Sequence, residues 1–188
     1  MKRNIFMTMI LSLVFLCGCS AEKTEEVKTY IVPESYFTYT GTDPAEDVEF
    51  MNGKGAEYSM SAKVSEGNLV LELTDSQRDA FVQRNNEFID QLANSLLSTS
   101  EYYKFVKDEN YKKVDFYFDE LASPMAQVQA VFGAASGYRL NQILINNTTD
   151  WHVEVNIYNC HTGKAVMSVV IPEGEASYGQ EEWINSYK

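Results

Sequence analysis

Cysteine and histidine are scarce in this chain, whose 188 residues include three cysteines and two histidines. Cys17 and Cys19 lie near the N terminus, so Cys160 is alone in the body of the chain. A single thiol cannot form an intramolecular disulfide, and a zinc site takes three or four ligands. We therefore expect the chain to fold on its hydrophobic core, with no disulfide, metal or cofactor.

Basic residues are also few, since 15 Lys and Arg stand against 27 Asp and Glu, for a net charge of −12. This balance argues against electrostatic binding of nucleic acid or of an anionic bilayer face. The common catalytic motifs are missing as well: there is no G-x-S-x-G, no H-E-x-x-H and no usable Cys/His/Asn set. The composition thus favours binding over catalysis.

The N-terminal segment has the order of an export signal. Lys2 and Arg3 precede an apolar run from Ile5 to Leu16, which is too short to span a bilayer as a helix. The run ends in Leu16-Cys17-Gly18-Cys19, which resembles the lipobox of bacterial lipoprotein precursors. The resemblance covers about the first twenty residues, and the family of the following domain is not recognised.

The resemblance implies that cleavage falls after Gly18 and that Cys19 becomes the lipidated N terminus. Two acyl chains of a diacylglycerol suffice for stable anchoring. Residues 1–18 are then a signal peptide, and the protein is expected outside the cytoplasm, anchored to a bacterial membrane through Cys19.

Residues 19–55 are predicted to be an acidic tether, because this stretch is rich in Glu, Asp and Thr and contains Pro33 and Pro44. Two parts of it, Tyr30-Ile31-Val32 and Tyr36-Phe37-Thr38-Tyr39, are β-prone and aromatic. They are interpreted as an edge strand that docks on the domain, or as a surface for a partner.

Residues 56–188 are predicted to form one α+β domain, with a mostly antiparallel sheet of five or six strands and two helices on one face. Alternation of apolar residues indicates strands, and helical spacing with Thr74 or Asp75 and Ser123-Pro124 as start signals indicates helices. The predicted elements are strands near Tyr58–Val64 and Leu69–Leu73, a helix from Asp75 to about Leu97, a strand at Val114–Phe118, a helix from Pro124 to about Ser136, and strands at Trp151–Tyr158 and Ala165–Ile171.

The stretch from Tyr138 to Ile145 is ambiguous. Gly133 and Gly137 weaken a helix, and the apolar stripe loses coherence after them. We interpret residues 138–145 as a further strand, and a helix continuing to Ile145 is the alternative.

Three sets of residues are candidate sites, and none is predicted to be catalytic or metal-binding. Cys160 and His161 are neighbours in a turn, where side chains rarely face each other. His152 and Glu154 share a strand face and would need His161 as a third metal ligand. Asp115, Asp119 and Glu120 are carboxylates near one strand, as an acidic protein shows by chance.

The sequence favours a non-enzymatic binding or interaction module with an envelope protein or peptide as partner. An envelope hydrolase with an unrecognised active site is the alternative. A third possibility is a lipoprotein whose partner is another copy or a transporter complex.

Overall fold

The described part of the chain, residues 25–188 of a computed structural model, contains seven strands, five α-helices and a short 3₁₀ turn. The predicted signal peptide and the predicted lipidation site, Cys19, lie outside these residues. In chain order the elements are β1 (Val27–Val32), α1 (Glu34–Thr40), α2 (Pro44–Asn52), the 3₁₀ turn (Ala56–Tyr58), β2 (Ser61–Ser65), β3 (Asn68–Thr74), α3 (Asp75–Leu97), β4 (Lys104–Val106), β5 (Lys113–Phe118), α4 (Pro124–Asn146), β6 (Val153–Asn159), β7 (Ala165–Ile171) and α5 (Gln180–Ser186).

The α+β class is confirmed, but the single antiparallel sheet is not. The strands form a three-stranded antiparallel sheet in the order β1-β3-β2 and a four-stranded sheet in the order β4-β5-β6-β7. In the second sheet β5 and β6 are parallel, while β4 and β7 run antiparallel to their neighbours. Five helices rather than two accompany these sheets in the described residues.

The parallel pair follows from the length of α4, which runs for 23 residues to Asn146. The helix carries the chain back to the starting end of β5, so β6 begins at the same end, as a crossover helix requires. The strand predicted for residues 138–145 is therefore wrong, and the alternative of a continuing helix is correct. The apolar stripe fades because α4 is buried on most sides, between α3 and the four-stranded sheet.

Gly133 and Gly137 serve close helix packing rather than a helix end. A Cβ atom at Gly133 would lie 2.3 Å from Cδ1 of Leu92, and one at Gly137 would lie 2.6 Å from Cδ1 of Ile89. The missing side chains let α3 and α4 approach each other more closely than any larger residue would allow. The cost of glycine within the helix is offset by this contact.

The predicted alternation holds in β5 and β3 but not in β2. The strand predicted near Tyr58–Val64 begins at Ser61, because Ala56–Tyr58 form the 3₁₀ turn, and Met60 and Val64 are 61% and 43% exposed. Val114, Phe116 and Phe118 are fully buried on one face of β5, and Leu69, Leu71 and Leu73 are buried along β3. The β2–β3 hairpin has its turn at Glu66-Gly67, where both residues have positive φ.

The helical stripes were predicted less well. Phe88 of α3 is 53% exposed, and Asn85 takes a buried position on that helix instead. Met125 and Val128 of α4 are exposed, at 66% and 51%, although both share the helical spacing of the buried Val131 and Ala135. Consequently β5 is covered by α4 rather than by the Phe88 face of α3.

Residues 27–52 are not an extended tether. The stretch Tyr30-Ile31-Val32 lies in β1, an edge strand of the three-stranded sheet, and its Tyr30 and Val32 side chains are 1% exposed. Tyr36 to Tyr39 lie in α1 rather than in a strand, and Phe37 is buried there. Apolar side chains outweigh the acidic composition, so this segment belongs to the folded unit.

Within residues 25–188, none of the helices has both the length and the hydrophobicity that crossing a bilayer requires.

Candidate functional site

The ends of β5 and β6 bring together side chains that are far apart in the sequence. Because the two strands are parallel and adjacent, the chain leaves both at the same edge of the sheet, where α/β sheets commonly bind ligands. Asp119 directly follows β5, and Cys160 and His161 directly follow β6. One potential ligand atom from each of these three residues lies within 4.8 Å of the others. With Tyr103 they form what we call the Asp119 cluster.

Hydrogen bonds fix the carboxylate of this cluster from two sides. The hydroxyl of Tyr103 and the backbone N–H of Leu121 both donate to Oδ1 of Asp119, the latter at 3.0 Å. The other oxygen, Oδ2, lies 3.1 Å from Nε2 of His161. Asp119 is buried, whereas the His161 side chain is 44% exposed, so the cluster opens to solvent on the histidine side.

The electrostatics of the cluster keep the thiol protonated at neutral pH. Burial and the charge of Asp119 raise the pKa of Cys160. Burial alone would raise the pKa of Asp119, but the hydrogen bonds from Tyr103, His161 and Leu121 outweigh it and lower that pKa. Burial and Asp119 likewise raise the pKa of Tyr103. A nucleophilic cysteine needs a lowered pKa, so this environment does not activate Cys160.

A groove of about 680 Å³ lies next to the cluster, between the start of α4 and the C-terminal segment with α5. Among its described lining residues, Glu120 is the single carboxylate and none is basic. The lining consists of Glu120, Pro124, Gln127, Val128, Phe132, Ala176, Ser177, Tyr178, Gly179, Gln180, Trp183, Ile184 and Tyr187.

Aromatic contacts attach α5 to the body of the domain and so form one wall of the groove. Trp183 is buried, with its ring centroid 5.6 Å from that of Phe118 and 6.3 Å from that of Tyr178. The hydroxyl of Tyr178 donates to Oε1 of Gln127 on α4 at 2.8 Å, which joins the two walls.

Tyr187 connects the groove with the Asp119 cluster. It lines the groove, and its hydroxyl donates to Oε2 of Glu120, the residue after Asp119. Burial and Glu120 raise the pKa of Tyr187 to about 12, so its hydroxyl remains a hydrogen-bond donor at neutral pH. The groove and the cluster are therefore two parts of one surface region.

The other sequence-derived candidates do not assemble. His152 precedes β6 and His161 follows it, so the seven-residue strand, roughly 23 Å long, lies between them, and the two histidines cannot share a metal ion with Glu154. Asp115 forms an ion pair with Lys113 at 3.2 Å. It lies four positions before Asp119, roughly 13 Å along the strand, so the two carboxylates are not an acid–base pair.

Sequence reasoning missed the partners that shape this region. No sequence motif singles out Tyr103, Tyr178 or Tyr187. The concentration of aromatic residues in an acidic tail was the available signal, because exposed aromatics are costly without a partner. Trp183 packs on the domain, whereas Ile184 beside it is 49% exposed.

Comparison of the chain with protein-family models, with curated proteins and with solved structures gives no match, so its function has to be inferred from these residues.

Proposed function

We propose that the protein is a lipid-anchored extracytoplasmic binding module, that its binding site is the groove beside α5, and that its ligand is a peptide segment with apolar and basic residues. The groove is the observation on which this proposal depends. Its volume falls in the range of about 300–1,000 Å³ that is typical of ligand sites.

The lining suits a peptide with bulky apolar side chains. Phe132, Tyr178 and Trp183 provide aromatic walls, and large aromatic residues dominate the energy of most protein interfaces. Val128 and Ile184 are 51% and 49% exposed at the groove, so apolar area is available there for burial.

The charge around the groove favours a basic ligand. Glu120 is the one charged side chain among the described lining residues, and the whole chain has a net charge of −12. Charge complementarity guides association and suppresses partners of like sign. An acidic peptide is therefore disfavoured, and a lysine or arginine next to the apolar anchors would meet Glu120.

The hydrolase alternative receives less support from the Asp119 cluster. Although Asp119, Cys160 and His161 lie close together, the raised pKa of Cys160 leaves the thiol protonated. The 3.1 Å contact with Asp119 also occupies Nε2 of His161, one of its two ring nitrogens.

The proposed anchor at Cys19 would hold the domain close to the membrane. The chain from Cys19 to Val27, where β1 begins, reaches at most about 30 Å. A ligand in the envelope would thus be bound within a short distance of the bilayer surface.

Tryptophan fluorescence tests the proposed site, because the chain has two tryptophans and Trp183 alone lines the groove. A Trp151→Phe variant is titrated with a synthetic peptide of leucine, phenylalanine and lysine, and with the same peptide carrying glutamate for lysine. We expect a saturable change in Trp183 emission with the basic peptide, and at least about a tenfold weaker response with the acidic one.

Variants then locate the binding. Val128→Asp should abolish the response and Glu120→Gln should weaken it, whereas Asp150→Asn, an exposed carboxylate elsewhere, should leave it unchanged. Equal responses to both peptides, or a response that survives Val128→Asp, would contradict the proposal.

A further inference from the structure

We propose that Asp119, Cys160 and His161 bind a zinc ion through the Asp119 carboxylate, an imidazole nitrogen of His161 and the Cys160 sulfur, whose proton the metal displaces to solvent on binding. Their potential ligand atoms all lie within 4.8 Å of one another, although Asp119 and His161 are 42 positions apart in the chain. This inference is independent of the ligand proposed for the groove.

The three donor types select the metal. Thiolate and imidazole ligands suit Zn²⁺, whereas Mg²⁺ and Ca²⁺ prefer sites made of oxygen atoms. One sulfur, one nitrogen and one oxygen from the protein match the three-ligand pattern of zinc sites that keep a fourth position open. The site would therefore hold zinc with one position left for water or a ligand.

The observed spacing already approaches that of a zinc site. Oδ2 of Asp119 and Nε2 of His161 are 3.1 Å apart. With zinc bonds of about 2.0–2.2 Å, tetrahedral geometry places such a pair about 3.3 Å apart. The Cys160 sulfur would lie about 3.6 Å from the imidazole nitrogen, since its bond to zinc is about 2.3 Å. The three ligand atoms already lie within 4.8 Å of one another, so a shift of at most about 1.2 Å completes the set.

Hydrogen bonds outside the three ligands hold two of them in place. Tyr103 and the N–H of Leu121 both bind Oδ1 of Asp119, which leaves Oδ2 directed at His161. The backbone N–H of His161 donates to Oδ1 of Asn159 at 2.9 Å, which fixes the turn that bears the histidine. Partners of this kind orient metal ligands and typically contribute 10- to 100-fold in affinity.

Access to the site is open on one side. The side chain of His161 is 44% exposed, while that of Asp119 is 11% exposed. An ion can therefore reach the three ligands without unfolding the sheet, and the fourth position faces solvent.

Cobalt(II) titration tests the proposal, since cobalt substitutes for zinc and reports its ligands by absorption. The full chain is purified in detergent with Cys17→Ser and Cys19→Ser, so that Cys160 is its single thiol. We expect one equivalent of Co²⁺ to give the visible bands of a tetrahedral site and a near-ultraviolet thiolate band, and one equivalent of Zn²⁺ to displace both.

The variants separate ligands from bystanders. Cys160→Ser should remove the thiolate band, His161→Ala and Asp119→Asn should weaken binding, and Tyr103→Phe should weaken it 10- to 100-fold while keeping the spectrum. His152→Ala and Asp115→Asn should bind as the parent chain does. Circular dichroism of each metal-free variant shows that it is folded.

Two results would overturn the proposal. One is the absence of stoichiometric binding by the folded parent chain, which would leave Asp119 and His161 as a hydrogen-bonded pair. The other is a spectrum that survives Cys160→Ser or that is lost with His152→Ala.

Discussion

Oδ2 of Asp119 lies 3.1 Å from Nε2 of His161, across 42 positions of the chain. The contact exists because β5 and β6 are parallel, so that the residues following each strand leave the sheet at one edge. An antiparallel arrangement of these two strands would place Asp119 and His161 at opposite ends of the sheet. The candidate site is thus a consequence of the crossover through α4.

The first prediction concerns the thiol of this cluster. Burial and the charge of Asp119 raise the pKa of Cys160. With chelator present, its alkylation by iodoacetamide should therefore be slow at neutral pH. The rate should rise only at a higher pH than the pH at which an exposed cysteine begins to react. Asp119→Asn removes the nearby charge, which lowers the thiol pKa and speeds alkylation at neutral pH. Asp115→Asn, on β5 four positions before Asp119, is the matched control, and an equal effect of both substitutions would contradict the assignment.

The second prediction concerns β5. Phe116 is fully buried, and its ring stacks on Phe105 with centroids 4.5 Å apart. Phe116→Ala should lower the free energy of unfolding by about 3–5 kcal/mol, because it leaves a cavity. Tyr117 lies on the other face, stacked on Tyr158 and beneath Lys104, so Tyr117→Ala should cost about 1–2 kcal/mol. Denaturant melts compare the two, and similar losses would show that both faces are buried equally.

The third prediction concerns a buried charge. Arg139 of α4 is fully buried, and this burial lowers its pKa. Its guanidinium carbon lies 4.2 Å from the ring centroid of Tyr39 and 4.8 Å from that of Trp151. Within residues 25–188 its Nε and Nη1 atoms have no hydrogen-bond partner. Replacing a buried charge by an apolar side chain of similar length is often neutral or stabilising, so Arg139→Met should unfold at the same or a higher denaturant concentration.

The matched variant Arg139→Ala should lose about 2–5 kcal/mol, because it removes the side chain and leaves a cavity between the rings. If Arg139→Met loses as much as Arg139→Ala, the charge itself stabilises this contact through the aromatic rings.

The fourth prediction concerns the anchor. Cys19→Ser should abolish incorporation of a clickable fatty acid into the protein in cells, because the thioether needs the sulfur atom. The precursor should then remain uncleaved, or the protein should be released unlipidated. Cys17→Ser is the control and should label as the parent protein does, since it lies within the segment that is predicted to be removed. Equal labelling of the Cys19→Ser variant would exclude the lipoprotein assignment.

The sequence by itself determined the elements whose burial is periodic. Val114, Phe116 and Phe118 alternate with polar residues, and the strand forms there with those three side chains inside. Thr74 was a predicted helix cap, and it forms a capping box with Gln77 at the start of α3. Such signals are readable because each depends on residues within a few positions of one another.

The tertiary structure alone decided what each element faces. Asn85 is buried because its side chain donates to the carbonyl of Gly137 and to Asn141, both at 2.8 Å, whereas Phe88 one turn later is exposed. Hydrophobic periodicity cannot anticipate a buried polar contact whose partner is more than fifty positions away.

The candidate site also depends on contacts between residues that are far apart in the sequence. The sequence predicts that Cys160 and His161 lie in a turn after a strand, and the structure confirms this turn. That Asp119 and Tyr103 meet them depends on the parallel pairing of β5 with β6, and this depends on α4 continuing past Gly133 and Gly137. By local propensity these glycines weaken a helix. In the folded chain they pack closely against Leu92 and Ile89, and this contact offsets the unfavourable propensity. The contact exists only in the tertiary structure, so the sequence pattern could not predict it.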